Sequence, residues 1–319
     1  MATTKPRLTN AATPTVFIDG EAGTTGLEIR ERLAGATDIA VRSIDPERRK
    51  DPAARADLMR SVDLVVLCLP DDAAREAVAL ADGLGEDAPR IVDASTAHRV
   101  AQGWVYGFAE LDTAQAKLIA QSRRVANPGC YPTGAIALIR PLVDAGLIPA
   151  DYPITVNAVS GYSGGGKSMI ESYEVTRTAP VFELYGLGLE HKHVPELHAY
   201  SRLSKRPIFV PSVGNFRQGM LVSVPLHLDT LPGKPKAGDL KAALGAHYNG
   251  AKLVSVVEAE PFKGRIGIED LNGTDQMQLA VFSNEAHRQA VLVARLDNLG
   301  KGASGAAVQN IRLMLGLDR

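Results

Sequence analysis

A cysteine near the start of a predicted helix is the residue of this sequence whose setting best suits covalent chemistry. Cys130 lies in Asn127-Pro-Gly-Cys-Tyr-Pro-Thr-Gly134, and residues 135–143 follow at helical spacing. Pro132 is typical of a first helical turn. Because the dipole and N–H groups of a helix start stabilise a thiolate and an oxyanion, we expect Cys130 to be an accessible nucleophile. Cys68, inside the apolar run Val-Val-Leu-Cys-Leu, is expected to be buried and inert.

A nucleophilic thiol needs a base, and histidines supply the candidates. Three of the 7 histidines cluster in Glu190-His-Lys-His-Val-Pro-Glu-Leu-His198. We expect His191 or His193 to act with Cys130, and the sequence leaves the choice open. Two histidines beside a carboxylate are also compatible with a metal site, but the lack of an evident third ligand favours no metal.

Three basic residues stand where they would receive an anion. Arg99 follows a predicted strand, 91–93, at the carboxyl edge of a sheet, where ligands bind in α/β folds. Lys167 ends a glycine-rich loop, and Arg217 follows Gly214-Asn-Phe. Together with a thiolate, they predict a small substrate that carries a phosphate or a carboxylate.

The elements that must position these residues alternate between strands and helices in the first half of the chain. Apolar runs predict strands at 15–19, 39–44, 64–69 and 91–93, and helical spacing predicts helices at 27–33, 53–61 and 71–81. This alternation is typical of a doubly wound α/β fold with a parallel sheet.

The second part of the chain has a different pattern. Apolar or alternating runs, separated by glycines and prolines, occupy 154–159, 219–228, 253–258 and 277–284. They predict an α+β domain with a mixed or antiparallel sheet. An amphipathic helix over 302–317 closes the chain, and the change of pattern places the domain boundary near Ala150.

A glycine-rich turn joins the first predicted strand to the first helix. Its sequence is Gly20-Glu-Ala-Gly23-Thr24-Thr25-Gly26. Glycines allow a close backbone approach to a pyrophosphate, and the helix start offers N–H donors and a positive dipole end. The spacing is G-x-x-G-x-x-G, and its position in the first βα turn favours a dinucleotide.

Polar residues after the second predicted strand bear on the choice of cofactor, because the adenosine ribose usually lies there. Asp45 is a candidate for a ribose hydroxyl, as in NAD sites. Ser43, Arg48 and Arg49 are candidates for the 2′-phosphate of NADP. We therefore expect NADP in preference to NAD.

A second glycine-rich loop, Gly161-Tyr-Ser-Gly-Gly-Gly-Lys167-Ser168, matches the phosphate-binding pattern of nucleoside-triphosphate enzymes. However, a pattern this short can arise by chance in a chain with 30 glycines, and the residues around Cys130 favour another function. We therefore predict that this loop does not bind ATP.

Composition excludes other classes of protein. The formal net charge of -1 favours neither a nucleic-acid nor an anionic-membrane partner. The longest apolar runs, such as 62–69, are too short to span a bilayer, and residues 1–10 lack the apolar core of a secretory signal. With only 2 cysteines, no disulfide framework is expected. A cytoplasmic enzyme is the expectation.

The chain resembles the N-acetyl-γ-glutamyl-phosphate reductases in their shorter form. The resemblance covers most of the chain in the expected order, and the cysteine loop and the Lys-Gly-Ala-Ser-Gly run are its most specific parts. The matching stretches are Phe17 to Gly26, Asn127 to Gly134, Ser160 to Lys167, His191 to Glu196, Gly214 to Met220 and Lys301 to Asn310.

The resemblance implies an architecture and a reaction. It implies a Rossmann-type NADP-binding domain over 1–130, an inserted α+β catalytic and dimerisation domain over 131–301, and a terminal helix, 302–319, that returns to the first domain. It implies NADPH-dependent reduction of N-acetyl-L-glutamyl 5-phosphate to N-acetyl-L-glutamate 5-semialdehyde and phosphate, in arginine biosynthesis. It also implies a homo-oligomer, either a dimer or a tetramer.

Roles for individual residues follow from the same resemblance. Cys130 forms a thioester, His191 or His193 is the acid/base, and Glu196 orients the histidine. Binding of substrate or phosphate falls to Arg99, Ser160, Lys167 and Arg217. Contacts near the nicotinamide fall to Gly302, Ser304 and Gly305.

Two alternatives stay open at this point. An enzyme like aspartate-semialdehyde dehydrogenase would use the same nucleophile on another acyl phosphate, although the His-Lys-His-Val-Pro-Glu segment argues against it. A regulatory or redox-sensing protein would keep the nucleotide-binding unit without any turnover.

Overall fold

The computed structural model describes residues 13–317 and divides them into two compact units. The first unit contains residues 13–107, 116–127 and 307–317, and the second contains Phe108–Gln115 and Pro128–Ala306. The second unit is thus inserted into the first along the chain. Cys130 and the segment 302–306 belong to the second unit. The assignment of cofactor binding and catalysis to separate domains stays a prediction.

The first unit contains a parallel six-stranded sheet, as the alternating pattern predicted. Its strand order is β2-β1-β3-β4-β6-β5, with every pairing parallel. The four residues of β3 are all buried, which explains their continuous apolar run. The strands are β1 Thr15–Asp19, β2 Ala40–Arg42, β3 Leu64–Leu67, β4 Arg90–Asp93, β5 Val105–Tyr106 and β6 Arg124–Ala126.

Helices pack around this sheet and are fixed at their ends by polar contacts. Asp51 accepts hydrogen bonds from the N–H groups of Ala53 and Ala54 and so caps the second helix. Arg90 donates to the carbonyls of Ala120, at 2.7 Å, and of Met314, which ties the last helix of the chain to β4. The helices are α1 Thr24–Leu33, α2 Pro52–Arg60, α3 Asp71–Asp82, α4 Gln115–Gln121 and, at the end of the chain, α9 Gly305–Leu315.

The second unit contains a mixed seven-stranded sheet in the order β11-β12-β13-β10-β7-β9-β8. The pairs β7·β9 and β11·β12 are parallel and the other pairs are antiparallel. The strands are β7 Thr155–Gly161, β8 Phe182–Leu184, β9 Ile208–Gly214, β10 Met220–His227, β11 Val254–Val256, β12 Met277–Asn284 and β13 Gln289–Leu296.

The helices of the second unit are α5 Cys130–Asp144, α6 Gly166–Glu174, α7 Val194–Tyr200 and α8 Ala237–His247. Helix α5 packs on one face of the sheet, which we call the inner face. A side chain at Gly134 would place its Cβ 2.9 Å from Val222 on β10, so this glycine permits the close approach of α5. The outer face carries exposed apolar side chains, namely Phe182, Leu184, Ile208 and Val291.

The predicted terminal helix begins differently from expectation. Gly300–Ser304 form a π-helical turn, and the α-helix starts only at Gly305. The expected strand 39–44 is shorter, and Cys68 follows β3 instead of lying inside it. No helix within residues 13–317 is long and apolar enough to cross a bilayer.

Candidate active site

Cys130 is the first residue of α5, as its sequence predicted. Gly129 occupies the N-cap position, and no side chain caps the helix. The first N–H groups of a helix have no acceptor within the helix, so they face the region of the thiol. Thr133 closes the turn by donating its hydroxyl to the Gly129 carbonyl at 2.8 Å.

A buried carboxylate fixes the loop that precedes the cysteine. Glu196 is 1% exposed and lies in the first turn of α7. Its Oε2 accepts a hydrogen bond from the backbone N–H of Gly129 at 3.0 Å. Glu196 therefore joins α7 to the start of α5. Its expected role in orienting a histidine stays a prediction.

His191 and His193 immediately precede α7. Their rings are arranged edge to face, with centroids 4.7 Å apart and an interplanar angle of 72°. The backbone N–H of His193 donates to Nδ1 of His191 at 3.1 Å. Nδ1 of His191 is consequently an acceptor, and the proton of the neutral ring is on Nε2.

Aromatic side chains that the sequence analysis missed enclose the histidines. The Tyr131 ring lies 6.2 Å from His191 and 6.0 Å from His193, and Tyr185 lies 5.6 Å from His191. Phe209 packs against Tyr131 at 5.4 Å and against His191 at 5.2 Å. Tyr131 follows the cysteine directly, so its position was available as a signal. Tyr185 and Phe209 reach the site through strand pairing, which no local pattern indicates.

The two tyrosine hydroxyls form a chain that ends on the main chain of β9. Tyr185 donates to the Tyr131 hydroxyl at 3.1 Å, and Tyr131 donates to the Ser212 carbonyl at 2.9 Å. Burial raises the pKa of Tyr185 to about 12 and moves the pKa of Tyr131 well above its usual range. Both phenols are therefore neutral at pH 7, and neither is a base there.

The π-helical turn forms one side of the cysteine's surroundings. A Cβ at Gly302 would lie 3.0 Å from the Cβ of Cys130 and 3.0 Å from the Asp297 carbonyl oxygen. A Cβ at Gly305 would lie 2.0 Å from Asp275, and Ser304 donates its hydroxyl to the Leu299 carbonyl. Close packing explains these small residues, and their expected nicotinamide contacts stay a prediction.

The expected substrate-binding residues occupy different settings. Ser160 is buried, donates to the Gly161 carbonyl at 3.0 Å and interacts with the Tyr131 phenol, which places it beside the aromatic residues. Lys167 is exposed at the start of α6, and Arg217 is exposed and paired with Glu174.

Arg99 belongs to the first unit, where it follows β4. It is 8% exposed, and its Nε donates to the Asn127 carbonyl at 3.1 Å. This bond holds the guanidinium at the carboxyl ends of β4 and β6, the edge at which ligands bind in such sheets.

The loop that resembles a triphosphate site follows β7 and precedes α6, as a phosphate-binding loop would. Its first three N–H groups are already used, however. Those of Gly161, Tyr162 and Ser163 donate to the carbonyls of residues 219, 216 and 217 at 2.9–3.0 Å. Backbone donors engaged in this way do not cradle phosphates.

The first glycine-rich turn has the backbone of a nucleotide loop. Gly20 has φ +92°, and a Cβ there would lie 2.3 Å from the Cys68 carbonyl oxygen. A Cβ at Gly26 would lie 2.5 Å from the Gly20 carbonyl oxygen. Gly23 caps α1 with no side-chain hydrogen bond, so Thr24 and Thr25 form an open first turn. The turn tolerates no side chains at Gly20 or Gly26 and leaves a helix start available to an anion.

A small polar cluster lies beside this turn and contains an arginine that the sequence analysis missed. Arg30 on α1 donates to Glu21 at 2.5 Å and to the hydroxyl of Ser43, which also donates to Glu21 at 2.9 Å. Arg48 instead pairs with Asp51 at 2.9 Å, and Arg49 is exposed. Arg30 is the seventh residue of α1, whereas candidates for the 2′-phosphate were sought only after the second strand.

The family described as semialdehyde dehydrogenase, dimerisation domain, matches residues 130–298. N-acetyl-gamma-glutamyl-phosphate reductase from Chelativorans sp. (strain BNC1) is 56% identical over 309 residues, which cover 95% of this chain and 98% of that protein. The protein of the same name from Brucella ovis is 57% identical over 310 residues, which cover 95% of this chain and 99% of that protein.

Solved structures share the fold at low sequence identity. Aspartate semialdehyde dehydrogenase II from Vibrio cholerae, complexed with ASA, has a TM-score of 0.69 at 16% identity, covering 97% of this chain and 100% of that chain. Aspartate semialdehyde dehydrogenase from Francisella tularensis has a TM-score of 0.69 at 14% identity, covering 93% and 99%. The two-sheet architecture is therefore common to these proteins and this chain.

Proposed function

The chain belongs to the N-acetyl-gamma-glutamyl-phosphate reductase family, and from this membership we propose that it reduces N-acetyl-L-glutamyl 5-phosphate to N-acetyl-L-glutamate 5-semialdehyde with NADPH, releasing phosphate. One structural observation carries the proposal. Cys130 is the first residue of α5, and the residue before it, Gly129, is hydrogen-bonded to Glu196. Glu196 lies on α7, the helix that directly follows His191 and His193.

Cys130 is the proposed nucleophile. Its proton passes to a histidine, its sulfur bonds to the acyl carbon, and the bond from that carbon to the phosphate oxygen breaks. N–H groups in the first turn of α5 stabilise the oxyanion that forms on the way to the thioester. Arg99 is proposed to receive the phosphate, with Ser160, Lys167 and Arg217 as further substrate contacts.

The second half of the reaction converts the thioester to the aldehyde. A nicotinamide cofactor held at the turn that contains Gly20 and Gly26 would supply the hydride that reduces the thioester carbon. The oxyanion formed on that carbon then becomes the aldehyde carbonyl as the carbon–sulfur bond breaks, the aldehyde leaves, and the histidine returns its proton to the sulfur of Cys130. The enzyme thus regains its starting protonation state.

The tautomer of His191 favours His193 as the acid/base. Because Nδ1 of His191 accepts the His193 N–H, its Nε2 carries a proton and has no lone pair for the thiol proton. Protonating Nδ1 would break this hydrogen bond. We therefore assign proton transfer to His193 and a hydrogen-bond donor role to His191, with Glu196 holding the segment in place.

The glycine turn fits the pyrophosphate of a dinucleotide, because its close contacts leave no room for side chains at Gly20 and Gly26. The N–H groups of Thr24 and Thr25 are the proposed donors, because that of Gly23 already donates to the Gly20 carbonyl at 2.9 Å. NADP is the proposed cofactor, with Ser43 and Arg30 as donors to its 2′-phosphate. The phosphate would replace the carboxylate of Glu21 as their acceptor.

Arg48 and Arg49 remain further candidates for that phosphate. Arg48 would first have to leave Asp51, whereas Arg49 is exposed beside it. A cytoplasmic location is also part of the proposal, since Cys68 and Cys130 are both free thiols and a reducing compartment preserves them.

The reverse reaction tests the function directly. Purified protein is mixed with NADP, phosphate and either N-acetyl-glutamate semialdehyde or aspartate semialdehyde, and the absorbance of the reduced nicotinamide is followed. We expect phosphate-dependent NADPH formation with the N-acetylated substrate. Activity with aspartate semialdehyde alone would reassign the substrate, and no phosphate-dependent reduction with either aldehyde would contradict the proposed class of reaction.

A further inference from the structure

Lys301 is a buried charge for which the mechanism above has no role. It is 1% exposed, and its Nζ lies 2.6 Å from Oε2 of Glu110, whose side chain is 10% exposed. Phe108, 1% exposed, presents its ring to the ammonium at 5.5 Å. Removing two charges from water costs more than a buried pair commonly returns, so an apolar pair of similar size would be at least as stable. The pair therefore requires an explanation other than stability.

The position of Lys301 supplies that explanation. It lies in the π-helical turn Gly300–Ser304, directly before Gly302, whose backbone is packed against Cys130. Turns of this kind are rare, and they are frequently found at functional sites. The turn continues directly into α9. If the Lys301 side chain were not held in place, residues 300–304 would be free to adopt the α-helical conformation of α9.

Glu110 comes from a distant part of the chain. The segment Phe108–Gln115 belongs to the second unit although residues on both sides of it belong to the first. Within that unit, the segment makes a second ion pair, between Asp112 and Arg140 at 3.6 Å. Glu110 and Lys301 are 191 residues apart in the chain, so their ion pair attaches the π-helical turn to a segment outside it.

We propose that the Lys301–Glu110 ion pair positions Cys130, by holding the π-helical turn whose backbone lies against the cysteine. The proposal rests on Cys130 being the nucleophile proposed above. Lys301 and Glu110 are positioning residues: they act through Gly302 on the direction and surroundings of the thiol. A shift of about 1 Å in a reacting group can cost about a hundredfold in rate, so small movements of the turn are sufficient.

The test replaces the ion pair by an apolar pair. The variant Lys301→Met/Glu110→Leu leaves no buried charge unpaired, so we expect it to fold with a melting temperature close to or above that of the parent protein. Two rates are measured: kcat, and the alkylation of Cys130 by iodoacetamide across pH 6–10, located by mass spectrometry. We expect kcat to fall about tenfold or more with KM changed less than about threefold. The rate of Cys130 alkylation, plotted against pH, should change either in its midpoint pH or in its maximum value.

Two further variants keep the result interpretable. Lys301→Arg retains the charge pair and should restore part of both rates. Asp112→Asn breaks the other ion pair of the same segment and should leave the alkylation profile unchanged. If the double variant does not fold, Glu110→Gln, which keeps the shape of the side chain, replaces it and should change both rates in the same direction.

Each outcome bears on a different part of the argument. A folded double variant with parental kcat and a parental alkylation profile overturns the positioning role, as does an equal change caused by Asp112→Asn. Alkylation requires no turnover, so it separates this proposal from the proposed function. A changed profile in a protein whose Cys130→Ser variant remains active would support positioning and reject Cys130 as the nucleophile.

Discussion

The two cysteine thiols of the chain lie in different electrostatic surroundings, which sets a difference in reactivity. Burial, followed by the charges of Asp93 and Asp19, raises the pKa of Cys68 to about 12. At pH 8 about one Cys68 in ten thousand is then a thiolate, the form that reacts. Cys130 stands at a helix start, a setting that favours its thiolate.

We therefore predict that iodoacetamide at pH 8 labels Cys130 and not Cys68, as read by peptide mass spectrometry. Cys130→Ser should remove both the label and the turnover while NADPH binding is kept, because the thiol is proposed to contact the substrate carbon. Cys68→Ala should keep the label and the turnover. Rapid labelling of Cys68, or more than a few per cent of turnover in Cys130→Ser, would contradict this assignment.

A comparison of the two histidines tests the tautomer argument. His193→Asn should lower kcat by about 10²–10⁴, the usual contribution of a general acid/base. His191→Asn removes a hydrogen-bond donor and should have a smaller effect, because the ring is not proposed to carry the proton. Steady-state kinetics across pH 6–9 measures both. A larger loss in His191→Asn would reverse the assignment. Parental rates in both variants would leave His98, whose Nδ1 lies 2.6 Å from Asp93, as the next candidate.

Arg30 tests the choice of cofactor. Each charged hydrogen bond contributes roughly 1.5–3 kcal/mol, and the lower end applies here because the Arg30 side chain is half exposed. Arg30→Leu should therefore raise the KM for NADPH about tenfold and leave that for NADH nearly unchanged. Arg48→Ala is the matched control, since its guanidinium pairs with Asp51, and should have a smaller effect. An equal rise for both cofactors would remove Arg30 from recognition of the 2′-phosphate.

At the scale of elements, local patterns predicted those structures that residues near one another determine. The apolar run of β3, the glycine turn before α1 and the start of α5 at Cys130 were all evident in the sequence. Strand β8 was missed because its three residues are all exposed at a sheet edge and show no alternation. β5 has only two residues.

The π-helical turn was missed for a different reason. Its glycines resemble an ordinary helix start, and what excludes that geometry is packing against distant residues. Gly300 abuts the Thr274 carbonyl, Gly302 abuts Cys130, and Lys301 reaches Glu110. Contacts between residues so far apart in the chain leave no local pattern, so tertiary structure was needed to find them.

Gly302 provides a prediction at this scale. The Cβ added by Gly302→Ala would lie 3.0 Å from both Cys130 Cβ and the Asp297 carbonyl oxygen, so one of the two elements must move. We expect a loss of about 1–3 kcal/mol in unfolding free energy from overpacking and a fall in kcat of about tenfold or more. Urea denaturation and initial rates measure the two effects.

The control for this change is another glycine in a helix of the same unit. Gly238, in α8, has no atom within 4 Å of an added Cβ, so Gly238→Ala should stabilise the fold by about 0.5–1 kcal/mol and leave kcat unchanged. A Gly302→Ala variant with parental kcat would show that the turn has no influence on Cys130.

At the scale of the whole molecule, the outer face of the second sheet is a candidate surface for association between copies of the chain. Phe182, Leu184 and Ile208 are at least half exposed on this face, and Val291 on β13 is 38% exposed. Exposed apolar groups on one face of a sheet mark an interaction surface. These residues all lie within 130–298, the part that matches the dimerisation-domain family. We therefore propose that two copies pack through this face.

Charge placed on the outer face should separate the copies. Phe182→Glu would put a carboxylate, desolvated and without a designed partner, into the interface, and such burial costs several kcal/mol. Sedimentation velocity should show the parent protein at about twice the chain mass of 33.9 kDa or a higher multiple, and the variant shifted towards the monomer. Leu118→Glu, at a residue 48% exposed on α4 of the first unit, should leave the mass unchanged. A monomeric parent protein would contradict the assembly itself. A Phe182→Glu variant that keeps the parent mass, together with a dissociated Leu118→Glu variant, would move the interface to the first unit.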